Sequence, residues 1–369
     1  MKVFQVFESY PLFYQPYIPP TLELLSKQEG IDSKILAFKG VSHSNDATIL
    51  PNYKKRSIQK KINKLFNSST ARYNYLENKA IRENVDIIHI QHSYLFNKIK
   101  GLLDHPFKDQ PKTVITLRGG DTYVKPWVSQ RWKDFYMNYG HKVDAFIVMS
   151  QDQKKYLSRW GVPLDNIHVI PISFGQAFKI EPKYPNKDKM RIVSIFRMCW
   201  EKNIADNLRL VKQIKEHGIS VEYDVYGDGT DLGQVYYLLD RYGLNDCVSV
   251  KGKVDNQKIK DKLDKYDFIL QLSHSESFGM SVVEAQTYGV PAIVSNSDGL
   301  PETINSTKSG FIVDRQPVFE KIAIEIIDFW RNNNKYIRMS KEAILYSQSN
   351  FSISQEVSRL SELYKNIIS

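Results

Sequence analysis

The sequence predicts an α/β protein made of two successive strand-and-helix halves, each with a parallel sheet. Three observations predict it. Short β-branched or aromatic runs alternate with amphipathic stretches along the chain, a polar segment punctuated by prolines divides the alternation in two, and neither a fixed-period repeat nor a low-complexity tract interrupts it. With 369 residues, of which 42% are hydrophobic and 25% charged, the chain is long enough to bury two cores.

In the first half the strand candidates are 2–8, 33–37, 87–91, 113–117, 145–149 and 167–170. In the second they are 191–196, 221–226, 248–251, 268–272, 292–295 and 310–313. Each is a run of Val, Ile, Phe or Tyr bounded by polar or glycine-containing residues, as buried strands of βαβ units are. The divider carries Pro182 and Pro185 among lysines and is read as a linker. Near the end, Val357, Leu360, Leu363, Tyr364 and Ile367 recur at helical spacing. The expected organisation is a first domain over 1–172, a linker over 173–189, a second domain over 190–350, and a terminal helix over 351–369 that packs back on the first domain.

Charge is uneven: residues 1–180 hold 26 Lys and Arg against 15 Asp and Glu, so this half carries the whole formal net charge of +10. No run of about 18 apolar residues and no signal-peptide pattern occurs, which reads as a soluble or peripheral protein. The two cysteines, Cys199 and Cys247, offer neither a disulfide framework nor metal-ligand spacing, which fits a reducing cytoplasm.

The stretch from Phe268 to Ala285 reads as a buried strand, a tight loop and a helix opening near Gly279. A helix N-terminus at the carboxyl end of a parallel strand presents free N–H groups and a dipole that favour an anion such as pyrophosphate. Glu276 falls in the loop and Glu284 about one and a half turns into the helix. Taken alone, Glu276 also reads as an acid favoured by the helix dipole and Glu284 as a solvated helix residue.

These residues carry a resemblance. Glu276 and Glu284, with seven residues between them, resemble the Glu-x7-Glu motif of the retaining glycosyltransferases of family 4. Arg197-Met-Cys-Trp-Glu-Lys202, the turn Tyr226-Gly227-Asp-Gly229, and Asp298-Gly-Leu-Pro-Glu302 followed by Ser309-Gly-Phe-Ile-Val313 are similar to that family's segments in the same order. The resemblance is strongest over 190–313 and looser in the first half, at 86–89, Arg118-Gly119-Gly-Asp121 and 161–171. It implies the GT-B architecture, two facing Rossmann-like domains. It also implies Glu276, Arg197 and Lys202 as catalytic residues, with donor contacts at Ser277, Phe278, Gly279, Met280, Glu284, Gly227 and Gly229. Arg118, Gly119, Asp121, Tyr10 and Gln15 are expected on the acceptor side. This chain departs from the family pattern at Phe196, where Gly is usual, at Arg118, where His is common, and in the aromatic loop 8–20. Without the resemblance, the turn at Gly227 and Gly229 reads as a plain strand-to-helix turn, and His89 and His92 as packing or surface histidines on opposite faces of a strand.

The chemistry follows from charge. Cleaving a sugar–phosphate bond places negative charge on the leaving diphosphate, which Arg197, Lys202 and the amides near Phe278 would stabilise without a metal. Asp-x-Asp, the metal-holding pattern of the other major glycosyltransferase fold, does not occur. No metal and no cofactor is expected. Retention is implied by the resemblance, either by double displacement through Glu276 or by same-face attack with Glu276 holding sugar hydroxyls.

From Tyr53 to Phe66 the apolar Ile58, Ile62, Leu65 and Phe66 form one helical stripe among six cations. Such a helix suits an anionic membrane surface at roughly 1 kcal/mol per cation; its other reading is a helix packed on its own domain. The expectation is a hexosyltransferase-type glycosyltransferase, cytoplasmic and peripheral on the inner face of the plasma membrane. It would move a sugar from a nucleotide-sugar to a glycan or lipid-linked acceptor for bacterial surface polysaccharide, with closure about the linker excluding water. Alternatives are a sugar-nucleotide epimerase, a glycan phosphorylase or a basic nucleic-acid-binding protein. No zinc-finger or RNA-binding signature supports the last, and no nucleic acid is expected as a partner.

Overall fold

The computed structural model describes residues 1–10, 15–40, 47–52, 54–58, 72–174 and 181–369. The chain divides into two compact units, Met1–Gly175 with Ile353–Ser369, and Gln176–Ser352.

Among the described residues the first unit holds β1 (Lys2–Tyr10), β2 (Asp32–Gly40), β3 (Ala47–Ile49), β4 (Ile87–Ile90), β5 (Lys112–Thr116), β6 (Ala145–Val148) and β7 (Ile167–Val169). Their order in the sheet is β3-β2-β1-β4-β5-β6-β7, with every neighbour parallel. All four residues of β4 are buried, because crossover helices cover both faces of a parallel sheet. The strand β3 was not expected. It is three residues long and lies at the sheet edge, too short for alternation to register.

The second unit holds β8 (Met190–Ile195), β9 (Val221–Tyr226), β10 (Val248–Gly252), β11 (Phe268–Gln271), β12 (Ala292–Ser295) and β13 (Gly310–Val313). The sheet order is β10-β9-β8-β11-β12-β13, again all parallel. Phe268 anchors its core, edge-on to Tyr336 at 5.7 Å and to Phe311 at 6.2 Å. Each sheet therefore reverses its winding once, between β1 and β4 in the first and between β8 and β11 in the second. Doubly wound sheets bind ligands outside the carboxyl ends of the strands at such a reversal.

The helix Asn333–Phe351 stops at Ser352, whose backbone is extended, and the terminal helix runs Ile353–Ile368. That helix buries Ile353, Val357, Leu360, Leu363 and Tyr364. A polar network ties it to the first sheet. The Tyr364 hydroxyl shares a 2.5 Å hydrogen bond with His89 Nδ1 and accepts one from Gln5 Nε2 at 3.0 Å, while His89 Nε2 meets Thr116 Oγ1 at 2.6 Å. His89 is a packing histidine, pushed down to about 3 by burial and secondarily by the Arg118 charge. His92 does not share a strand with it, because β4 ends at Ile90. It is buried beyond the strand end, accepts from the Glu8 N–H at 3.3 Å and stacks on Tyr94 at 5.3 Å.

His89 makes the fold acid-sensitive. An unfolded histidine takes its proton near pH 6.5, whereas the folded one resists protonation to about 3, so stability is lost as pH falls through that window. His89→Gln should cut the stability lost between pH 7 and pH 5 in urea denaturation by about 2 kcal/mol, leaving the part due to His92, which burial lowers to about 4.

Candidate active site at the reversal of the second sheet

From β8 the chain leaves through Phe196 and Arg197 into a short 3-10 turn, Trp200–Lys202. From β11 it leaves through Glu276 to the helix Met280–Thr287. The two exits flank the β8–β11 reversal and bring Lys202 against Glu276: the ammonium bonds Glu276 Oε2 directly, with the side chains 18% and 14% exposed. The same oxygen accepts Gln271 Nε2 at 2.7 Å, and Ser281 Oγ holds the far side of that amide at 3.1 Å. Glu284, 13% exposed, pairs with Lys260 Nζ at 3.2 Å. Both acids of the motif therefore hold a lysine within this unit.

Asp298 fixes the loop. Its carboxylate accepts Ser275 Oγ at 2.6 Å, the Glu276 N–H at 3.2 Å and Arg315 Nη2 at 3.1 Å, while the Gly299 N–H returns to the Glu276 carbonyl at 3.0 Å. Gly279 caps the helix with φ +87, and a side chain there would sit 2.6 Å from Leu300 Cδ1. Val282 and Val283 make the first bonds of that helix, both to the Gly279 carbonyl, so the amides of Met280 and Ser281 lie at its open end.

Other expected donor residues fall differently. Phe278 is 2% exposed, with its ring edge-on to Phe351 at 5.1 Å, and Ser277 is buried too, so Phe278 has only backbone to offer. Arg197 is exposed; its basicity is raised first by the Cys199 thiol and then by the charges of Glu201 and Glu276. Gly227 and Gly229 have a steric duty, since a Cβ on them would lie 1.9 Å from the Phe196 carbonyl oxygen and 2.1 Å from that of Met198. They let the turn after β9 lie against the backbone that carries Arg197. Phe196 is buried in the core, so its bulk fills space there.

In the first unit Arg118 Nη2 bonds Gln91 Oε1 at 3.1 Å, and the guanidinium lies 5.7 Å from the Tyr17 ring centre. Arg118, Gln91, Thr21 and Glu356 line a pocket of about 20 Å³, room for one water. Asp121 closes its own turn on the N–H groups of Arg118 and Gly119 at 3.0–3.1 Å and on Ser93 Oγ at 2.5 Å; burial pushes its carboxyl up. Gly119 has φ +115 in this turn. Tyr10 is buried against Phe7, their ring centres 4.9 Å apart, and Gln15 meets His92 Nε2 at 3.2 Å. Residues 11–14 of the aromatic loop lie outside the described residues, as do Tyr53 and 59–66 of the basic stretch. Of that stretch 54–58 is helical, with Arg56 4.6 Å over the Phe38 ring and Ile58 56% exposed.

Sequence reading missed Lys260, Gln271, Gln91 and Glu356. Gln271 is a polar residue inside an apolar strand, and Glu356 stands beside Val357 in the stripe of the terminal helix, where it accepts from the Ser173 N–H at 2.9 Å and Thr21 Oγ1 at 3.1 Å. Such intrusions were the available signals. Lys260 had none, since it joins Glu284 only through folding.

Two family models match: the one described as Glycosyl transferases group 1 over residues 176–346, and Glycosyltransferase Family 4 over 27–172. The putative colanic acid biosynthesis glycosyltransferase WcaL of Escherichia coli K12 is 24% identical over 185 residues, 48% of this chain and 46% of that protein. The chain thus spans about half the length of the first curated relatives it matches. An uncharacterized 41.2 kDa protein in the cps region of Klebsiella pneumoniae is 33% identical over 306 residues, 78% of this chain and 81% of that one. Among solved structures, Anabaena HepE in complex with UDP superposes with a TM-score of 0.74 at 14% identity, covering 99% of this chain and all of that chain, a likeness of fold.

The glycines that shape the site are testable. Gly227→Ala, with φ +131 and the Phe196 carbonyl in the way, should lose on the order of 3 kcal/mol in urea denaturation. Gly243→Ala, with φ +62 but nothing within 4 Å, should lose only about 1 kcal/mol.

Proposed function

The chain belongs to the group 1 glycosyl transferases, a glycosyltransferase with GT-B architecture, and from this premise we propose that it moves a hexose from a nucleotide-sugar to a glycan acceptor with retention at the anomeric carbon. The acceptor is lipid-linked and destined for a bacterial surface polysaccharide; the colanic acid biosynthesis in the name of the Escherichia coli relative supports the polysaccharide. A nucleoside diphosphate is supported by the UDP bound to the Anabaena protein of like fold.

The observation that carries the reading is the contact of Lys202 with Glu276 at the sheet reversal, with Glu284 further up the following helix. A diphosphate arriving at the open helix end competes with Glu276 for the Lys202 ammonium. Lys202, Arg197 and the amides at Met280 and Ser281 then meet the charge that grows on the leaving group, without a metal. Released from the lysine, Glu276 takes sugar hydroxyls, while Glu284 takes the ribose diol. Gln271 continues to donate to Glu276 Oε2. With Glu276 given over to sugar hydroxyls, the acceptor attacks on the same face and the leaving phosphate takes its proton. The Arg118 loop of the first unit serves the acceptor, and the 53–66 stretch the membrane.

A thermal-shift panel of nucleoside diphosphates and nucleotide-sugars tests the reading. At a hundredfold excess over Kd one of them should stabilise the protein by about 2.7 kcal/mol, and EDTA should leave the shift in place. Glu284→Ala should weaken that ligand roughly 10- to 100-fold through loss of charged hydrogen bonds. No response to any nucleotide would overturn the proposal.

A further inference from the structure

The first unit exposes an aromatic edge that the transfer reading does not use. Trp127 is 65% and Val128 72% exposed on the short helix Lys125–Val128, which follows the Arg118-Gly-Gly-Asp121 turn within ten residues. The polar atom of the Trp127 ring is already satisfied, because Nε1 donates to Tyr156 Oη at 2.9 Å. Trp160 braces the ring edge-on at 5.0 Å, and Pro126 between Lys125 and Trp127 is buried. The exposed surface is thus apolar and held in place, so it can enter a less polar medium without losing a hydrogen bond or much side-chain freedom.

Around it stand cations. Lys125, Lys155 and Arg159 are exposed, with Arg159 4.9 Å over the Tyr156 ring. The acids nearby are engaged: Asp152 accepts the Tyr123 hydroxyl at 2.7 Å and Asp134 accepts Gln130 Nε2 at 2.7 Å. Two exposed apolar side chains are far fewer than a stable protein interface buries, at roughly 800 Å² per partner. An amphipathic aromatic anchor ringed by lysine and arginine is instead what the headgroup layer of an anionic bilayer accommodates.

We infer that the Trp127–Val128 edge is a membrane-docking surface, inserting into an anionic lipid surface beside the Arg118 turn. It uses none of residues 53–66 and does not depend on nucleotide chemistry.

Co-sedimentation of the full chain with phosphatidylcholine vesicles, with and without phosphatidylglycerol, tests it in the absence of nucleotide. The wild type should bind the anionic vesicles and release with salt. Trp127→Ala combined with Val128→Ser should lower partitioning about tenfold, and Lys125→Ala combined with Arg159→Ala should weaken it and flatten its salt dependence. Thermal midpoints and far-ultraviolet circular dichroism of the variants should stay near wild type. The inference is overturned if the wild type ignores anionic vesicles, if Trp127→Ala/Val128→Ser binds them as the wild type does, if Ile58→Ser alone removes binding, or if the Trp127 variant changes oligomeric state while still sedimenting with lipid. Because the vesicles hold no sugar or nucleotide, failure here leaves the transfer reading standing, and failure of the nucleotide panel leaves this one standing.

Discussion

The reversal of strand order between β8 and β11 is the constraint on which the second unit's chemistry depends. Helices on either side of that point leave the sheet in opposite directions, so the two strand exits are left uncovered and side by side. Into that gap the chain places a lysine from one exit and a carboxylate from the other. Partly buried charges are costly to leave uncompensated. Lys202 on Glu276 and Lys260 on Glu284 compensate one another in pairs.

The pairs need a rigid frame. Gln271, fixed in the strand itself, orients Glu276 from below, and Asp298 ties the loop backbone from the side. Gly227 and Gly229 allow two backbone segments to approach more closely than any side chain would permit, which sets where Arg197 emerges. The candidate side chains are thus carried by strand exits and the helix that follows one of them, whose geometry the sheet decides.

Much of this was legible beforehand, and the reasons are specific. Strands such as β4, β6, β11 and β12, buried along their whole length, read as largely continuous apolar runs, whereas β3, at an edge and three residues long, carries no such run. The loop of Glu276 and the helix of Glu284 were readable from the glycine and the serines between strand and helix. Illegible were the partnerships that cross long stretches of sequence. Lys260 with Glu284, Gln91 with Arg118 and Glu356 with Ser173 are brought together by topology, and no local pattern encodes them. The two turn glycines let backbone pack against backbone, as a plain strand-to-helix turn needs, and a ligand contact there would demand the same residue type.

The bond between Gln5 and the Tyr364 hydroxyl joins residues 359 positions apart, from the first strand to the last helix. The unit spanning Gln176–Ser352 is contiguous and can close while it is being translated. Its neighbour cannot. The sheet that holds Gln5 and His89 lacks its final hydroxyl partner until the helix of Tyr364 has been made. The order of synthesis and the order of completion of the two units are therefore reversed along this chain.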